Sequence, residues 1–112
     1  MHPEATPETR EDVATLIVEA FEAGHEMPPY ERLVEIDKGL RDEIGRLTAH
    51  AQRLADKADH RSRQWYALVN AVDRAEDAMR FPLSTTPLAG AVHVAELAHR
   101  VQELREAGGI TP

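Results

Sequence analysis

The sequence contains no cysteine. That removes disulfides, thiolate metal ligands and cysteine nucleophiles together. Aromatic residues are scarce, with two Phe, two Tyr and one Trp in 112 residues. A core must therefore be built from aliphatic side chains and alanine. No apolar run approaches the roughly 20 residues of a membrane-spanning helix. The opening stretch MHPEATPETRED has no basic segment leading into an apolar one, so no secretory signal is expected. The chain reads as soluble and cytoplasmic, with no membrane partner. Cations are also in the minority: 13 Lys+Arg stand against 20 Asp+Glu, a formal net charge of −7. Nucleic-acid binders need a dense basic face to displace counterions from phosphates. The richest basic cluster, Arg61 and Arg63 beside His60, is short, so nucleic acid is not expected as a partner. Glycine-rich phosphate loops, Ser/His/Asp spacings and nucleophile elbows are missing as well.

What is present is helical periodicity. At 112 residues and 42% apolar composition, the chain fits one domain with its own core. Residues 1–8 and 109–112 read as flexible tails around a single domain at 9–108. Thr9-Arg10-Glu11-Asp12 resembles a capping box. Val13, Leu16, Ile17, Ala20 and Phe21 follow at helical spacing, and Gly24 offers a stop, giving a helix over 10–23. Pro28-Pro29 starts a second helix that runs to Ala58. A third is expected over 62–80, with Asp59 or Ser62 as cap and Trp65, Leu68, Val69, Val72, Ala75 and Met79 on its apolar face. Thr86-Pro87 opens a fourth, over 87–107, closed by Gly108-Gly109. No strand alternation appears. The fold expected is all-α, an antiparallel three- to four-helix bundle with one long central helix.

The stretch LVEIDKGLRDEIGRLTAHAQRL places Leu33, Leu40, Leu47 and Leu54 seven residues apart. A parallel zipper also needs apolar residues four positions after each leucine. Those positions hold Asp37, Ile44, Ala51 and Ala58, a poor seam. The leucines are better read as one wall of a bundle. Helix 2 would nevertheless span roughly 45 Å, against roughly 30 Å for helices 3 and 4. A homodimer covering the surplus stripe is expected, with Leu47, Ala51, Leu54 and Ala58 as interface candidates. Gly39 and Gly45, flanking the stripe, would allow a bend or a close helix contact.

Two Glu-x-x-His matches, Glu22/His25 and Glu96/His99, have the spacing used in carboxylate-bridged di-iron bundles. Neither pair aims at its helix's apolar face, so no metal and no cofactor are expected. Two acids fall among apolar positions: Asp37 in the helix 2 stripe and Glu76 in the helix 3 stripe. Such carboxylates either pair with an arginine, reach solvent, or mark a site. Tyr66, at the edge of its helix face, and Tyr30, after Pro29, can line a groove. Tyr66, Glu76, Tyr30 and Asp37 are therefore the ligand-pocket candidates, and no residue is assigned as catalytic.

Pro28-Pro29-Tyr30, Leu40-Arg41, Tyr66-Ala67-Leu68 and LAGAVHVAELAHRVQEL (88–104) together resemble an uncharacterised family of small actinobacterial proteins. That family is loosely labelled as natural-product biosynthesis proteins. The resemblance covers about residues 28–104, and the C-terminal REAGGITP departs from it. It implies a helical domain and supplies no site residues. The leading functional expectation is a non-catalytic helical protein–protein interaction module, accessory or regulatory, acting as a homodimer or with an unknown protein partner. The alternative is a small-molecule-binding or accessory enzyme subunit in specialised metabolism, with a pocket near Tyr66 and Glu76.

Overall fold

A computed structural model of the protein describes residues 12–110. These form four helices: α1 (Val13–Glu26), α2 (Tyr30–Lys57), α3 (Arg63–Met79) and α4 (Pro87–Ala107). No strand occurs among the described residues, so the all-α expectation holds. α2 is the longest helix, at 28 residues. No helix among the described residues is long and apolar enough to cross a membrane.

The expected boundaries hold closely for α2, α3 and α4, and shift for α1. The start expected at Thr9 lies outside the described residues. Gly24 does not stop α1, which continues to Glu26. The stop comes instead from Pro28-Pro29, which cannot continue a helix and disfavours helical backbone in the preceding residue. Met27 adopts the left-handed conformation at φ 50° and donates its N–H to the Ala23 carbonyl, closing the last turn. α3 is capped as expected, with the Ser62 hydroxyl accepting from the Trp65 N–H at 3.1 Å. Thr86 and Pro87 open α4.

α2 and α4 touch each other, and each touches α1 and α3, while α1 and α3 do not meet. The result is a slab of 45 × 39 × 21 Å. Its centre holds Leu33, Ile36, Leu40, Ile44 and Leu47 from α2, Leu68 from α3, and Val94, Leu97, Val101 and Leu104 from α4. Each such burial contributes about 1.5–3 kcal/mol. Leu16 and Ile17 of α1, Val72 of α3 and alanines at 20, 23, 51, 71, 75, 91 and 98 fill the rest. Small side chains let helices approach closely. The tightest approach is at Gly39, where a Cβ would lie 2.5 Å from Leu16 Cδ1. Gly45 faces open space.

The aromatic residues do less in the core than their size suggests. Trp65, expected on the apolar face of α3, is only half-buried and meets the His60 ring in a tilted contact at 4.6 Å. A carboxylate takes a core position instead: Glu43 is 6% exposed and pairs with Arg46. The signal was present, because Glu43 stands seven residues after the buried Ile36 in the same register.

Candidate functional site

Two of the four pocket candidates, Asp37 and Tyr30, take part in separate contacts that tie α2 to the α3–α4 connection, and neither lines a cavity. Asp37 accepts from Arg41 Nε, one turn later, at 2.9 and 3.1 Å. Arg41 then reaches past α2 and donates to the carbonyls of Met79, at 3.1 Å, and Phe81. Its guanidinium also meets His93 Nε2 of α4 at 2.9 Å, and that nitrogen is 3.7 Å from Asp37 Oδ1. Tyr30 separately donates its hydroxyl to the Ser84 carbonyl at 2.7 Å. Side chains at the start of α2 thus hold the α3–α4 connection through its backbone carbonyls. Asp37 and His93 are each 14% exposed. Burial and the neighbouring Arg41 push the His93 imidazole below its ordinary value, with Asp37 and Glu96 opposing. A five-donor guanidinium satisfying carboxylate, carbonyl and imidazole acceptors is a structural clamp. Sequence reasoning found Asp37 and Tyr30 but missed His93, whose partner lies 52 residues away.

The other two candidates do not share a site. Tyr66 and Glu76 are ten residues apart on α3, roughly 15 Å by helical rise. Tyr66 is exposed and meets Trp65 edge-on at 5.0 Å. Glu76, expected in the apolar stripe, is also exposed. It lines an open groove of about 350 Å³ between α2 and α3, together with Ile44 and Met79. The Thr48 hydroxyl in that groove is buried with no hydrogen-bond partner.

The interface candidates are used largely within the chain. Leu47 and Ala51 are each 1% exposed in its own core, and Leu54 and Ala58 are half-buried. Leu47 and Ala51 thus have little surface of their own outside the core, whereas Leu54 and Ala58 keep part of theirs. Glu96 and His99 point outward, and Glu22 and His25 are exposed. Among the described residues no three His, Asp or Glu side chains gather to hold a metal ion.

Large apolar side chains are exposed on α1 and α4, and also at Met27, at Val34 of α2, at Tyr66 of α3 and at Phe81. Leu88 and Val92, one turn apart on α4, are 63% and 66% exposed. They face away from the buried Val94, Leu97, Val101 and Leu104 seam, and Ala95 and His99 continue the same outward line. On α1, Val18 is exposed and Phe21 partly so. The Phe21 ring lies 4.7 Å from the His99 ring, joining the two helices' outer faces. Carboxylates flank this surface: Glu22 on α1 and Glu96 on α4 are exposed, and the nearby Arg100 is drawn to Glu96 and Glu103.

A family model described as a family of unknown function (DUF6415) matches residues 8–108. Comparison with curated proteins and with solved structures finds no match.

Proposed function

The chain belongs to the DUF6415 family, and we propose that it is a non-catalytic interaction module whose α1/α4 outer face docks a helix of another protein. One observation carries this reading. α4 bears apolar residues on both sides, with Val94, Leu97 and Val101 inward and Leu88 and Val92 outward. The first two turns of α4 are thus apolar on both sides, and an exposed apolar face of this kind marks a docking surface. The acidic flanks specify the occupant: a helix with an apolar stripe bordered by Lys or Arg. A second copy of this chain would bring Glu22 and Glu96 against like charges, so the acidic rim favours a different protein over a homodimer.

The arrangement that presents this face is an antiparallel run of α2, α3 and α4. Supporting it are three pairings between α2 and α4 in the same order along both helices: Leu33 near Gly90, Asp37 near His93 and His50 near Gly108. The α3 end at Met79 sits against Arg41 of α2, as a reversed α3 requires.

The test is amide-shift mapping of the labelled protein against a synthetic amphipathic helix with a leucine stripe and lysines elsewhere. Shifts confined to Val18, Phe21, Leu88, Val92 and their neighbours support the reading. Shifts centred on α3, or none at saturation, defeat it. A second reading, small-molecule binding, is favoured by the groove at Glu76 and the unpartnered Thr48 hydroxyl. Its volume lies at the lower end of the roughly 300–1,000 Å³ typical of ligand pockets, and its openness suits it less well than a closed cleft would.

A further inference from the structure

Half of the described cations of this acidic chain are tied to carboxylates, as Arg32, Arg41, Arg46, Arg74, Arg80 and Arg100 are. Six are not: Lys38, Arg53, Lys57, Arg61, Arg63 and Arg105 make no ion pair among the described residues. Four of those six fall between residues 53 and 63, at the end of α2, the turn after it and the first residue of α3. That stretch carries four cations against two carboxylates, Asp56 and Asp59, in a chain of net charge −7. With surface charges screened over roughly 8 Å at physiological salt, a partner segment lying along residues 53–63 experiences that stretch's positive sign.

Two further observations set the end apart. Arg61 is held at φ 67°, a conformation uncommon for a residue with a Cβ, and is exposed. The aromatics also gather here. The His60 ring is tilted against Trp65 at 4.6 Å, Trp65 meets Tyr66 at 5.0 Å, and Tyr66 is 46% exposed. The chain's only Trp and one of its two Tyr thus stand beside its free arginines. Arginine guanidinium groups take carboxylates in paired hydrogen bonds, and an exposed tyrosine edge accepts an aromatic or aliphatic side chain.

We infer that this end of the bundle is a second docking surface, for an acidic protein segment bearing an aromatic residue. Carboxylates engage Arg61 and Arg63, and the aromatic ring packs against Tyr66 and the Trp65 edge. A nucleic acid fits less well, because its charge extends beyond the four cations into the acidic remainder of the chain. The inference is independent of the α1/α4 face.

Trp65 is the reporter. The full chain is titrated with a capped peptide of glutamates flanking one phenylalanine, following Trp65 emission and its indole N–H resonance. Both should change saturably. Affinity should fall at least roughly tenfold in Arg61→Glu/Arg63→Glu, and again on raising salt to about 0.5 M, while Lys38→Glu leaves it unchanged. Arg61→Gly is the second variant. Glycine adopts positive φ without cost, so this protein should melt no lower than the parent yet bind more weakly. No saturable change, equal binding by the Arg61→Glu/Arg63→Glu protein, or a response to oligothymidylate in place of the peptide would each overturn the assignment.

Discussion

Arg41 and His93 meet at 2.9 Å, guanidinium nitrogen to imidazole Nε2. A guanidinium has only donors, so Nε2 accepts and the ring is neutral with its proton on Nδ1. The depressed affinity of His93 for a second proton follows from the same geometry: burial first, then the cation of Arg41, against a smaller pull from Asp37. The residue that holds the α3–α4 connection to α2 therefore depends on an uncharged histidine.

The pH dependence has a definite sign. Unfolded, His93 takes up a proton near its ordinary value of about 6.5, and folded it does so only at lower pH. Between those two values the unfolded chain binds more protons, so stability rises with pH. The contribution is complete above about 6.5 and is lost as pH falls through the window below it. Urea unfolding from pH 8 to pH 5 should show this loss, and His93→Gln should flatten the slope. An identical slope in the variant would remove His93 from the account.

Arg41→Ala should cost about 2–3 kcal/mol, the scale for removing hydrogen bonds to a charged group and leaving a half-buried carboxylate unmatched. Arg41→Lys should recover little, because an ammonium is a point donor and cannot span Asp37, two carbonyls and His93 together. Equilibrium denaturation measures both. Full rescue by lysine would mean that charge alone matters at this position.

The two glycines of α2 should behave differently. Gly45→Ala places a methyl in open space within a helix, and should stabilise by roughly 0.5–1 kcal/mol. Gly39→Ala gains the same propensity, but must displace the buried Leu16 methyl from 2.5 Å. It should stabilise less than Gly45→Ala or destabilise. Melting curves of the two variants decide the order.

The helices were legible because the leucine heptad and the runs around Leu68 and Val94–Leu104 repeat at the helical period, and because Ser62 and Thr86-Pro87 mark starts. Asp37 was legible as an acid among apolar positions, and its arginine partner stands one turn away. The rest depended on tertiary distance. His93 becomes part of the clamp only when α4 lies against α2. Trp65 is only half-buried, with the His60 ring from the turn before α3 tilted against it at 4.6 Å, a contact that periodicity does not encode. Leu47 and Ala51 looked like surplus seam because periodicity fixes a helix face without saying which neighbours cover it. The outward Leu88 and Val92 passed unremarked beside the stronger inward stripe of the same helix.

The central claim, docking through the α1/α4 outer face, is tested most directly by calorimetric titration of the lysine-flanked leucine peptide into the parent and the Leu88→Ser/Val92→Ser protein. Both side chains are more than half exposed, so the double variant should melt as the parent does. Losing two apolar contacts of about 1 kcal/mol or more each should weaken binding by at least roughly tenfold, with the net charge unchanged. Parental affinity in the double variant would contradict the account.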